Sequence, residues 1–203
     1  MLINPVTLKG ARVCLEPLTL DHLDALSQFA LSEEIWRYFP IRLLTREDLK
    51  GQLQSVLDGQ TNGTDLCFVV IERASGNLVG TTRFMNIEVR NRGVEIGGTM
   101  IDPQWQRTFV NTETKYLMLR HAFETWRCIR VCLKTDSLNL RSRAAILRLG
   151  ARDEGTLRNH IVMPDGRFRH SVYFSIIESE WPAVKANLEV RLSAKGDISL
   201  RSE

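Results

Sequence analysis

No hydrophobic run in this chain approaches the ~20 residues that a membrane-spanning helix needs. The start, Met1-Leu2-Ile3-Asn4-Pro5, lacks the basic stretch followed by an apolar one that marks a secretory leader, so the expected compartment is the cytoplasm. Cysteine is scarce. Cys14, Cys67, Cys128 and Cys132 form no Cys-x-x-Cys, and each lies in an apolar, strand-like run. They read as buried free thiols, not as a disulfide framework or a zinc site. His22, His121, His160 and His170 are scattered without ligand spacing, so no metal is expected. Gly-x-Gly-x-x-Gly and the Walker loop are both missing, and so are internal repeats and low-complexity segments. The formal net charge of +3 is too small to argue for nucleic acid, and neither nucleic acid nor a membrane is an expected partner.

What is present is ordinary globular material. The 203 residues are 43% hydrophobic and 25% charged, enough for one sizeable core. Residues 1–192 are expected to form a single domain, and 193–203 a polar C-terminal tail. Charge is uneven: Arg127 to Arg169 holds ten Lys/Arg against four Asp/Glu, a surface suited to an anionic small ligand or simply to water.

Periodicity sets the element order. Alternation predicts strands at 12–17, 66–73, 78–86, 94–101, 129–135, 152–161 and 168–177. Helical spacing predicts a helix over 20–31, another opening at Thr45 with Asp48 completing a capping box, and a long one opening at Asn111 or Thr112. On that long helix Tyr116, Leu119, Phe123 and Trp126 share a face. A shorter helix runs from an Asn139 cap to Gly150, and a last one begins near 178. An aromatic loop, Glu33 to Pro40, is expected between the first two helices. The order is β-α-α-β-β-β-α-β-α-β-β with a terminal helix. That is an α+β fold, with a mostly antiparallel sheet and one parallel pair around the long helix.

Three stretches could carry chemistry. In Val94-Glu95-Ile96-Gly97-Gly98-Thr99 two glycines interrupt a strand, as at a bulge or at close approach of a ligand, beside a carboxylate in an apolar run. In Gln106-Arg107-Thr108-Phe109-Val110-Asn111-Thr112 a strand feeds a helix N-terminus, whose free amides and dipole favour an anion. In the third, Asn139 opens a helix with Ser142 in its first turn. Each is also what a bulge or a plainly capped helix would show.

Together their order and spacing carry more. A strand with Glu95-Ile96-Gly97 is followed by Pro103-x-Trp105-Gln106-Arg107 and by Asn111-Thr112-Glu113 before the long helix. Then come Asn139-x-x-Ser142-x-x-Ala145-x-x-x-Leu149-Gly150-Ala151 and Ser179-Glu180-Trp181-Pro182. This resembles the GNAT superfamily of N-acetyltransferases, and more closely its RimJ/RimL-like branch of ribosomal-protein N-terminal acetyltransferases. The resemblance runs from the first strand to Pro182. It implies a twisted sheet of about seven strands, splayed at the central parallel pair and flanked by helices.

It also implies acetyl-CoA as co-substrate. The family's Gln/Arg-x-x-Gly-x-Gly/Ala loop falls on Gln106, Arg107, Thr108, Phe109, Val110 and Asn111, so amides from about Arg107 to Thr112 would face a pyrophosphate. Met100 and Ile101 would lie along the pantetheine arm, with Asn139 bonding it and Ser142 near the sulfur. Phe109 departs from the family, which prefers glycine there for positive φ or close backbone approach. Glu95 is the expected base, directly or through water. Ser142 or Tyr173 would serve the leaving thiolate. Trp36, Tyr38, Arg83, Asn86 and Trp105 are the expected acceptor-side residues.

The expected activity is transfer of acetyl to a primary amine, either a protein N-terminal α-amine or a small molecule, by direct attack in a ternary complex. An α-amine of pKa ~7.7–8.0 asks less of the base than a lysine near 10.4. The alternative is a non-catalytic relative with weak or lost acyl-CoA binding that acts through protein interaction. The chain is expected to be a monomer or a homodimer.

Overall fold

The apolar alternation read above folds, in a computed structural model that describes residues 1 and 3–199, into eight strands among those residues. They are β1 (Leu8–Lys9), β2 (Val13–Pro17), β3 (Leu66–Glu72), β4 (Leu78–Glu88), β5 (Gly93–Ile101), β6 (Arg130–Asp136), β7 (Arg152–Val162) and β8 (Phe168–Ile177). One sheet holds them in the order β1-β2-β3-β4-β5-β6-β8-β7. Every pairing is antiparallel except β5 with β6. The eighth strand is the two-residue β1, too short to show a period. The helices are α1 (Leu23–Ala30), α2 (Glu33–Trp36), α3 (Arg46–Thr61), α4 (Val110–Arg120), α5 (Leu140–Leu149) and α6 (Trp181–Ser199). No helix among the described residues is long and apolar enough to cross a membrane.

Two apolar clusters lie on opposite faces of the sheet. Leu15, Phe68, Phe84, Val131, Phe174 and Ile176 meet Leu117, Leu119 and Leu188 of α4 and α6. Cys67, Val69 and Met100 meet Leu26, Leu49 and Leu53 of α1 and α3. Fully burying each such side chain contributes ~1.5–3 kcal/mol. The α1–α3 layer stops over the middle of the sheet. The same face of β5, β6 and β8 is left half-open, with Arg130, Cys132, Lys134 and Tyr173 partly exposed on it.

Local chemistry explains the boundaries. Thr45 Oγ1 accepts from the Asp48 amide at 3.1 Å, and Asp48 returns the bond to the Thr45 amide at 3.0 Å, so the expected capping box opens α3. Asn139 Oδ1 caps α5 at the Ser142 amide (3.0 Å), and Gly150 ends it at φ +101°. The expected Glu33–Pro40 loop contains a turn of helix, α2, folded around the Trp36 indole, whose N–H donates to the Ala30 carbonyl at 2.6 Å. α4 begins at Val110, so Asn111 and Thr112 sit in its first turn and are not its cap. It widens into a π-helical turn at His121–Thr125, which keeps both Phe123 and Trp126 in the core. The last helix reaches Ser199 and so takes in 193–199 of the expected polar tail at 193–203, whose residues 200–203 lie outside the described residues.

Glu113 fastens α4 to β2. Its Oε1 accepts from the Arg12 amide at 2.9 Å and the Val13 amide at 3.4 Å, and its Oε2 lies 3.6 Å from the Arg12 guanidinium. With one end of α4 held against β2, its N-terminus is set just beyond the end of β5.

Candidate active site

The parallel pair β5–β6 is short. It registers Gly93 with Arg130, Val94 with Val131 and Glu95 with Cys132, and then stops. β5 continues to Ile101 alongside β4, and β6 continues to Asp136 alongside β8. The two strands therefore diverge into a wedge with Glu95 at its apex. Glycine shapes the β5 side. Between the Arg83–Gly97 and Thr81–Met100 pairs β5 carries one extra residue, a bulge, with Gly98 at φ +57°. A Cβ on Gly97 would sit 2.7 Å from Met85 Sδ and 3.2 Å from Glu95 Oε1. A side chain there would press on the carboxylate.

Glu95 is 5% exposed. Its Oε2 accepts from Asn86 Nδ2 at 2.9 Å and from Lys134 Nζ at 3.1 Å, while Oε1 makes no hydrogen bond among the described residues. Asn86, expected on the acceptor side, lies at φ +49° in an irregular part of β4 and is brought to Glu95. Lys134 was not singled out by the sequence reading, although it lies two residues along β6 from the register partner of Glu95. It also sits 5.8 Å from the centre of the Tyr173 ring, its cross-strand partner on β8. Glu95, Asn86, Lys134 and Tyr173 therefore form one constellation on the half-open face. Cys132 lies among them, its thiol pushed up first by burial, with Arg130 acting against this. Ser142 stands in the first turn of α5, with its hydroxyl making no hydrogen bond among the described residues.

At the other end of the wedge, the loop 106–112 answers the question raised by Phe109. The residue has φ −70°, an ordinary helical value, so nothing in its backbone requires glycine. The left-handed position of the loop is Arg107, at φ +64°. The Phe109 ring turns inward. It meets the Trp105 ring edge-on at 6.3 Å, and the Arg12 guanidinium lies 4.1 Å over it. Thr108 Oγ1 takes the Val110 amide. The amides of Arg107, Thr108, Phe109, Asn111 and Thr112 find no acceptor among the described residues, the unsatisfied set that favours an anion. Gln106 spans the loop, donating to the Ile101 carbonyl at 3.0 Å and accepting from Arg141 of α5 at 2.7 Å. Arg141 is a second cation the sequence reading passed over.

The remaining expected residues are dispersed. Met100 is buried toward α1 and α3, and Ile101 toward α4. Arg83 pairs with Asp65 at 3.2 Å, and its buried Nε, without a partner, lies against the Gly98 bulge. Trp36 is core, edge-on to Phe39 at 5.2 Å with its N–H satisfied. Tyr38 is half-buried, and its carbonyl accepts from Arg169 at 3.0 Å. Asn139 uses its oxygen as the α5 cap. Among the buried charges that the sequence did not reveal is Lys115 of α4, whose Nζ donates to Thr99 at 2.5 Å and Thr82 at 3.5 Å. Burial takes its pKa down to about 7. An open recess of about 600 Å³ lies on the β7–β8 hairpin, lined by Thr156 to Asn159 and His170, and none of the expected residues line it.

A model of the acetyltransferase (GNAT) domain matches residues 12–152. Over 176 residues the chain is 24% identical to the uncharacterized N-acetyltransferase p20 of Bacillus licheniformis, covering 86% of this chain and 98% of that protein. The structure matches that of a GCN5-related N-acetyltransferase from Brucella melitensis with a TM-score of 0.84 and 30% identity, over 93% of this chain and 86% of the other. Mycobacterium smegmatis RimJ in complex with CoA-disulfide shares the fold, with a TM-score of 0.81 at 21% identity over 92% and 95% of the two chains.

Proposed function

The chain belongs to the acetyltransferase (GNAT) family and is an N-acetyltransferase, and we propose that it moves acetyl from acetyl-CoA to a primary amine by direct attack in a ternary complex. The observation that carries the reading is the wedge: β5 and β6 part at Glu95, and free amides at the start of α4 wait beyond the end of β5. Residues present at both ends fit the co-substrate. The amides of Arg107, Thr108, Phe109, Asn111 and Thr112 would hold its pyrophosphate, and the unpaired β5 edge near Met100 and Ile101 would line its pantetheine arm, with Asn139 and Ser142 opposite at the start of α5. Bound there, acetyl-CoA supplies a thioester already activated toward attack, so no covalent bond to the protein is needed.

The protein's work is positioning and proton management. Glu95 takes a proton from the amine, directly or through one water, at the oxygen left free of hydrogen bonds. Asn86 and Lys134 hold the other oxygen and keep the carboxylate aimed. The new carbon–nitrogen bond replaces the carbon–sulfur bond, and Ser142 or Tyr173 returns a proton to the departing sulfur. Tyr38, Arg83 and Asn86 line the acceptor side, with Trp36 supporting from the core, while Trp105 packs edge-on to Phe109 at the loop that opens α4. The acceptor is a protein N-terminal α-amine or a small amine. We place this activity in one domain spanning residues 1–192 of a cytoplasmic protein.

The test is calorimetric titration with acetyl-CoA, with desulfo-CoA as control, followed by an acetylation screen of amines and N-terminal peptides. Micromolar binding, ~−8 kcal/mol, together with acetyl transfer supports the reading. No binding at high ligand would favour a module that acts through protein interaction.

A further inference from the structure

Arg169 of β8 is a buried cation that the reaction as described does not use. It is 6% exposed. Its Nε donates to Ser171 Oγ at 3.1 Å and its Nη1 to the Tyr38 carbonyl at 3.0 Å. Nη2 has no hydrogen-bond partner, and no carboxylate lies within ion-pair distance, among the described residues. The two nearby carboxylates are engaged elsewhere: Asp136 with Arg167 at 2.7 Å, Glu95 with Lys134 at 3.1 Å. Burying a guanidinium without a counter-charge is costly, so such a group normally meets an anion. Desolvation indeed lowers its pKa, against the fields of Asp136 and Glu95.

Its surroundings belong to the acceptor side. Arg169 shares a face of β8 with Ser171 and Tyr173, and hence with Lys134 and the wedge apex. β7 makes a large bulge opposite: Leu157 pairs with Ser171 and Ile161 with Arg169, leaving Arg158, Asn159 and His160 against a single residue. Asn159 turns the chain at φ +48°. His160 is thereby laid over the same face, with Nδ1 2.9 Å from Ser171 Oγ and its ring 5.9 Å from that of Tyr173. A purely structural tether to Tyr38 would account for Nε and Nη1. It leaves Nη2 and the buried charge without a use.

We propose that Arg169 receives an anionic group of the acceptor, so that the substrate is a primary amine that also carries a carboxylate or phosphate, with the amine at Glu95 and the anion at Arg169. This rests on the acetyl-transfer reading. Planar guanidinium groups bind either anion through paired N–H donors.

The experiment measures kcat/KM for matched amines with and without the anion: ω-amino acids of three to six carbons against the corresponding alkylamines, and 2-aminoethyl phosphate against ethylamine. Wild type should favour the anionic member by at least about tenfold, with the favoured series telling carboxylate from phosphate. Arg169→Gln should bring the ratio close to one, and Arg169→Lys should restore part of it. No preference in wild type, or an equal loss for both members in Arg169→Gln, overturns the proposal. Acetyl-CoA titration of all three proteins separates the two claims, because intact binding without anion preference refutes the anion site alone. If no amine is turned over, hexanoate and inorganic phosphate are titrated into the CoA-saturated protein. Binding that Arg169→Gln abolishes supports the site, and absence of binding in wild type refutes it.

Discussion

At the α4–β2 junction and at the wedge apex, the protein buries a glutamate to nearly the same depth, 3% exposed for Glu113 and 5% for Glu95. Their partners differ in kind. Glu113 is held at Oε1 by two backbone amides where β2 begins, groups that cannot leave without unfolding that edge, and its buried Oε2, without a hydrogen bond among the described residues, meets the Arg12 guanidinium at 3.6 Å. Glu95 is likewise hydrogen-bonded through one oxygen, but by an amide and an ammonium on side chains, and its other oxygen lies near Gly97. Burial alone therefore does not mark a catalytic carboxylate. The kind of partner separates the two: backbone partners make a fastening, while side-chain partners on the half-open face leave a carboxylate able to serve as the proposed base.

Several substitutions would break or sharpen that contrast. Glu113→Ala leaves two backbone amides and Arg12 without their acceptor, and should cost about 2–4 kcal/mol in urea denaturation. Glu95→Gln should leave the urea midpoint nearly unchanged. Equal destabilisation by the two would erase the distinction.

Lys115 supplies a third buried charge, anchored only by the Thr99 and Thr82 hydroxyls. Its folded-state pKa, about 7, lies below the unfolded value near 10.4. Between those values the unfolded chain holds the extra proton, so stability should rise with pH across that window. Below it both states are protonated and the burial cost is complete. Lys115→Met should therefore stabilise the protein by on the order of 1–3 kcal/mol at pH 6, with the gain fading toward pH 10. A pH-independent gain in thermal melting would contradict this.

Gly97→Ala puts a methyl against Met85 and Glu95. It should lower turnover about tenfold, ~1.4 kcal/mol, with little change in acetyl-CoA affinity. Unaltered turnover would mean that the position of the carboxylate is not critical. The smallest effect is expected at Phe109. Its helical φ and inward ring predict that Phe109→Gly changes acetyl-CoA affinity by less than about threefold, under ~0.7 kcal/mol, in the same titration.

The strands were legible from their apolar residues, which alternate onto one buried face at Val131 and Leu133 of β6 and at Val172, Phe174 and Ile176 of β8, and fill a run buried on both faces from Val13 to Leu15. The capping box at Thr45 and the Gly150 stop were legible because each depends on residues three or fewer positions apart. α2 was not, because it forms around a contact from Trp36 back to Ala30 that no local propensity encodes. The start of α4 was placed at Asn111 or Thr112 because those are good caps, whereas Thr108 does the capping from outside the helix. Glu95 stood out as a carboxylate in an apolar strand. Lys134 could have been found by carrying the same parity onto β6. Arg169 and Lys115 could not, since their isolation appears only once the chain is folded and every nearby carboxylate is seen to be engaged elsewhere.

The most direct test of the account is Glu95→Gln, with acetyl-CoA binding and amine turnover measured on the same preparation. The account predicts calorimetric affinity within about twofold of wild type and a fall in kcat of about 10²-fold or more. Full turnover by Glu95→Gln, with binding intact, would contradict the assignment of Glu95 as the base at the apex of the wedge.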